Sequence, residues 1–109
     1  MPPAVATPEA PVQSARFEHL LLEFLAYLEL ERGLSRNTLD AYRTDLLQYG
    51  RYLDENGLDA TRVTAEQMAS YAAELGTGSD DRPLASSTVH RKTAAIRSFY
   101  KHLRREEVI

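Results

Sequence analysis

The residues best placed to do chemistry in this 109-residue chain are cations, and the chemistry is the gripping of a polyanion. His90, Arg91, Lys92, Arg97, Lys101, Arg104 and Arg105 follow one another with no acid between Leu84 and Arg105. Arg97 and Lys101 are four apart, so on a helix they share a face and repel each other by about 0.2–0.5 kcal/mol. A polyanionic partner relieves that repulsion and releases counterions. A second group stands at Arg36, Asn37, Thr38 and Arg43, where donors gather just after Ser35. If Ser35 opens a helix, those donors lie at or near its positive end, which suits a phosphate backbone. Thr88, Arg91 and Ala95 point the same way on a helical wheel, with Ser87 starting the row, and the small Ala95 is expected to permit close approach to a duplex.

Other chemistries have little support. His19, His90 and His102 show no metal-ligand spacing. His102 and Glu106 are four apart and are expected to form an exposed helical ion pair, since two ligands make no metal site. There is no P-loop, no GxGxxG and no serine in a nucleophile elbow. No cofactor is expected.

Four helices must position the two cationic groups. Residues 1–14 contain four of the five prolines and read as a flexible leader. The first helix is expected over about Ala15 to Arg32. Phe17, Leu20, Leu21, Phe24, Leu25 and Leu28 give it an apolar stripe wide enough for more than one partner helix, and Gly33 is its left-handed cap. The second runs from an N-cap at Ser35 to Glu55, with Leu39, Tyr42, Leu46, Tyr49 and Leu53 on one face and a stop at Gly57. Thr64 and Gln67 form a capping box that starts a third helix, from Ala65 to Leu75, ended by Gly76. Residues 76–83 read as a mobile acidic loop. Ser86 or Ser87 then caps a fourth helix, from Thr88 to Arg105, with Val89, Thr93, Ile96, Phe99, Tyr100 and Leu103 facing inward. No β-type alternation appears. The expected fold is all-α, a compact bundle of four main helices over residues 15–109.

Composition sets limits. Hydrophobic residues make up 43% and charged residues 27%, enough for one modest core. The absence of cysteine excludes disulfides and thiolate metal sites. No apolar run approaches a membrane span and no signal peptide is legible, so a soluble cytoplasmic protein without membrane contact is expected. Net charge is −3, but residues 85–109 carry six Lys or Arg against Glu106 and Glu107. Local field, not net charge, governs phosphate affinity.

The run from Phe24 through Arg32-Gly33-Leu34-Ser35-Arg36-Asn37-Thr38 to Ala41-Tyr42-Arg43-Thr44-Asp45-Leu46 resembles the N-terminal, SAM-like core-binding domain of tyrosine recombinases, above all the Xer-type recombinases and phage integrases. Ser87-Thr88-Val89-His90-Arg91-Lys92 to Ala95-Ile96-Arg97-Ser98-Phe99-Tyr100 is similar to that domain's last helix. The resemblance implies one half of a C-shaped clamp on double-stranded DNA. The second helix would contribute Arg36, Asn37, Thr38, Tyr42 and Arg43, and the fourth Ser87, Thr88, His90, Arg91 and Lys92. It implies other recombinase protomers as partners on DNA, with the isolated chain monomeric or weakly associating.

It also implies that the catalytic tyrosine belongs to a C-terminal domain expected to be absent here, so this chain should not cleave DNA. His102-Leu-Arg-Arg105 fits the family's catalytic His-x-x-Arg pattern, but no tyrosine follows, and it reads as a chance match. The competing reading is a helical protein–protein interaction module without DNA binding. On that reading the broad first-helix stripe leaves an exposed apolar patch.

Overall fold

The computed structural model describes residues 9–77 and 84–109, the side chains of 9–14 excepted. Within them the chain is all-α: α1 (Glu9–Leu30), α2 (Arg36–Glu55), a one-turn 3-10 helix (Ala60–Arg62), α3 (Ala65–Thr77) and α4 (Ser86–Arg105). Residues 1–60 and 61–109 form two units. The first contains α1 packed on α2, and the second α3 packed on α4.

Helix α1 starts at Glu9, six residues ahead of the expected Ala15. Pro11 lies in its first turn, where the missing N–H has no intrahelical partner to lose, so the proline does not block the helix. The leader expected over residues 1–14 is thus helical from Glu9; residues 1–8 lie outside the described part. Phe17, Leu20, Leu21, Phe24 and Leu28 are buried. Leu22 and Leu30 are exposed.

Gly33 has φ +62, the left-handed conformation that lets the Leu34 N–H turn back to the Leu28 carbonyl at 3.2 Å. In α2, Leu46, Tyr49 and Leu53 are buried, and Tyr49 meets the Phe17 ring edge-on at 6.4 Å. Asp45 is fully buried as well; a carboxylate so placed needs a partner, and it has one. Gly57 (φ +64) ends α2 in a Schellman motif, with Leu58 N–H donating to Leu53 O at 2.8 Å and Gly57 N–H to Asp54 O at 3.2 Å.

Gly50 sits where α2 meets α1. A Cβ there would lie 2.7 and 2.9 Å from two carbons of the Phe17 ring. Overpacking costs about 1–3 kcal/mol, whereas alanine returns only about 1 kcal/mol of helix propensity. Gly50→Ala is therefore expected to destabilise by about 1 kcal/mol, read from the urea midpoint at constant m-value. The loss should shrink in a Phe17→Leu background; equal losses in both backgrounds would show that the ring is not the obstacle.

The Thr64–Gln67 capping box forms as expected. Thr64 N–H donates to Gln67 Oε1 at 2.9 Å and Gln67 N–H to Thr64 Oγ1 at 3.1 Å. Helix α3 continues past Gly76 to Thr77, whose hydroxyl donates to the Glu74 carbonyl at 2.9 Å. The rest of the expected acidic loop, residues 78–83, lies outside the described part.

Helix α4 also ends in a Schellman pattern. Val108 N–H donates to Leu103 O at 2.9 Å and Glu107 N–H to Arg104 O at 3.1 Å. Here Glu107, not glycine, takes the left-handed position, at φ +60. The Cβ is strained there, and a carboxylate at a helix C-terminus opposes the dipole. Glu107→Gly is expected to stabilise by about 0.5–1 kcal/mol, seen as a higher melting temperature. No change would mean that the final turn frays in solution.

Candidate nucleic-acid interface

Ser35 caps α2 from extended backbone (φ −69, ψ 161). The Thr38 N–H donates to Ser35 Oγ at 3.3 Å, and the Ser35 hydroxyl donates to Thr38 Oγ1 at 3.1 Å. Thr38 is thereby engaged in the cap and is half-buried. The first turn holds no acid.

Arg36 and Arg43 are both exposed and seven residues apart, so they lie on one face, about 10 Å apart along the axis. They line a shallow groove between α1 and α2 with Leu22, Leu25, Leu39, Glu29 and Asp40. Asp40, four after Arg36 and three before Arg43, shares their face by spacing alone, while Glu29 reaches the groove from α1. Asn37 is exposed one position round the helix. Tyr42 is half-buried and stacks on Phe24, with ring centroids 6.4 Å apart and planes at 15°. The structure thus brings Arg36 and Arg43 together and turns Thr38 and Tyr42 toward packing.

Helix α4 begins at Ser86, two residues before the expected Thr88. Its N-cap is Ala85, in extended backbone (φ −61, ψ 148), with no side-chain capping bond. The Ala85 carbonyl accepts from the N–H groups of Thr88 and Val89, both at 3.0 Å. This register corrects the expected cap at Ser86 or Ser87, which instead stand exposed in the first turn. That turn also holds no acid.

Ser87, His90 and Arg91 are exposed and Thr88 is half-buried. Lys92 is only 8% exposed, so its stem is packed into the buried face of α4. Ala95 is fully buried, which corrects its expected place against a duplex. The buried positions 92, 95, 96, 99, 102 and 103 form a complete three-and-four lattice, and Ala95 is one of its points.

His102 is buried too, not part of an exposed pair. The Arg105 guanidinium lies 3.2 Å from its Nδ1. Arginine only donates, so Nδ1 is the accepting nitrogen. Arg105 also reaches Glu106, at 3.9 Å. The His-x-x-Arg match is thus a local contact across one helical turn. Among the described residues no group of three or more His, Cys, Asp or Glu could hold a metal ion. No described helix is long and apolar enough to cross a membrane.

The acid-free first turns of α2 and of α4, with exposed cations in or just after them, are each a candidate anion-binding surface, and comparison with known proteins gives the class of the chain. The model of the phage integrase N-terminal SAM-like domain matches residues 21–107. The chain belongs to that family.

Among its relatives is Tyrosine recombinase XerC of Herpetosiphon aurantiacus, 38% identical over 90 residues, or 82% of this chain and 28% of that protein. Tyrosine recombinase XerC of Listeria monocytogenes is 42% identical over 88 residues, 80% of this chain and 28% of that protein. Tyrosine recombinase XerD of Oceanobacillus iheyensis is 31% identical over 93 residues, 84% of this chain and 30% of that protein. The chain therefore spans 28–30% of the length of these curated relatives. No solved structure matches it.

Proposed function

We propose that this chain is a DNA-binding module of a site-specific tyrosine recombinase, working in DNA integration or recombination, and that it holds duplex DNA through the first turns of α2 and α4. The observation that carries the reading is the start of α2. A capped helix presents exposed Arg36 and Asn37 in a turn without acids, and Arg43 repeats the charge two turns on. Ser87, His90 and Arg91 supply the equivalent surface on α4. Tyr42, Thr38 and Thr88 support these contacts from half-buried positions, and Lys92 contributes through packing.

The module itself carries no cleavage chemistry. His102 and Arg105, the pair that fits the catalytic pattern, are engaged with each other on α4. Strand breakage belongs to a further domain of the recombinase. DNA and other recombinase protomers are its partners.

The rival interaction-module reading needs an apolar patch on α1. All of its stripe but the half-buried Leu25 is buried, and among the described residues of α1 Leu22 and Leu30 are the large apolar side chains left exposed. The test is duplex binding at two salt concentrations. Affinity should fall steeply as salt rises, with each phosphate contact adding about one to the log–log slope. Binding that ignores salt, or a mass that rises with concentration while DNA does nothing, would overturn the reading.

A further inference from the structure

The cations in the C-terminal half of α4 stand apart from the surface just described. Arg97, Lys101 and Arg104 lie roughly 80–140° round the helix from Arg91 at 3.6 residues per turn. Arg97 and Arg104 are turned by more than a right angle, so they face a different side of the helix from Arg91. These three cations line a groove between α3 and α4 whose other walls are Met68, Ile96 and Tyr100. Ile96 is fully buried, while Met68 and Tyr100 are half-buried and reach the surface. Tyr100 meets Phe99 edge-on, with centroids 5.4 Å apart.

A bare phosphate backbone has no use for an apolar floor. Arginine, tyrosine and methionine together are the residues enriched where proteins meet proteins, and methionine adapts to irregular apolar side chains. The charge of the lining is one-sided, three cations and no acid. We infer that this groove, walled by Met68, Ile96 and Tyr100 and rimmed by Arg97, Lys101 and Arg104, docks an acidic amphipathic segment of a partner protein. Apolar side chains of the segment rest on Met68 and Tyr100. Its carboxylates pair with the three cations, and the arginines can donate to them bidentately.

The test uses a short fluorescein-labelled peptide of glutamates with leucines three and four apart, followed by fluorescence anisotropy on the whole chain. Arg97→Glu with Lys101→Glu reverses the rim. Arg51→Glu with Arg62→Glu, both exposed, makes the same change of net charge elsewhere. The expected result is saturable binding that falls at least tenfold in the rim variant and less than twofold in the control, with circular dichroism unchanged in both. Met68→Ala should also weaken binding at constant charge.

Three results would overturn the inference. One is no peptide binding at low salt. Another is equal loss in the two charge-reversed variants, which would mean bulk electrostatics only. The third is a wild-type mass that doubles with concentration and drops to monomer in the rim variant, which would assign the groove to a second copy. None of these bears on duplex binding by Arg36 and Arg43.

Discussion

Replacing Phe24 by alanine should cost about 3–5 kcal/mol, the range for losing a buried aromatic side chain. Phe24 is 1% exposed on α1, and its ring stacks on Tyr42 of α2. It therefore fills space within the unit formed by residues 1–60 and also fixes the helix that carries Arg36 and Arg43. Native stability is commonly about 5–15 kcal/mol in total, so this one change takes a large share. Urea denaturation of Phe24→Ala against wild type measures it.

Tyr42→Phe separates the two roles of the pair. It keeps the stacked ring, so stability should move by no more than about 0.5 kcal/mol. A loss below about 1.5 kcal/mol for Phe24→Ala would mean that the stack does not persist in solution.

What was legible in the sequence was mostly what is decided within four residues. Ser35 binds Thr38, and Thr64 and Gln67 bind each other, because those bonds need only the local chain. Gly33 and Gly57 end their helices because the positive φ required there is nearly free for glycine. The misreadings arose where residue type conflicted with position. Ala95, Lys92 and His102 complete the buried lattice of α4, but one is small and two are polar, so a search for large apolar residues passes over them. Counting positions at three-and-four spacing from Ile96 and Phe99 finds all three.

The start of α4 departs from residue type for a related reason. Two serines attract a cap assignment, while the extended residue is the alanine before them. The candidate site shows the same division. The exposed Arg36 and Arg43 follow from helical phase alone. That Thr38 is taken up by the cap and Lys92 by packing depends on neighbours that a single sequence does not display.

Arg36→Glu should move stability and DNA binding in opposite directions. A cation in the first turn of a helix opposes the dipole, and α2 has no acid there to offset it. A glutamate in that turn gains about 0.3–1 kcal/mol from the dipole. Against these two dipole gains, from losing the cation and gaining the anion, the substitution turns an attraction to Asp40, four residues on, into a repulsion, about 0.4–1 kcal/mol together. Stability should therefore hold or rise. Duplex affinity should fall at least tenfold, which is about 1.4 kcal/mol, because a phosphate contact is lost and a repulsive charge replaces it.

Arg43→Ala, on the same face, should lower the salt slope by about one and leave folding unchanged. Lys92→Ala gives the contrast. Its stem is packed, so it should lower the urea midpoint while the salt slope of the remaining folded protein stays at the wild-type value. An evolved helix start that sacrifices stability for a cation is explained by an anion that binds it. If Arg36→Glu instead lowered stability and left the duplex affinity and its salt slope untouched, Arg36 would be a structural residue, and the DNA surface would have to lie elsewhere.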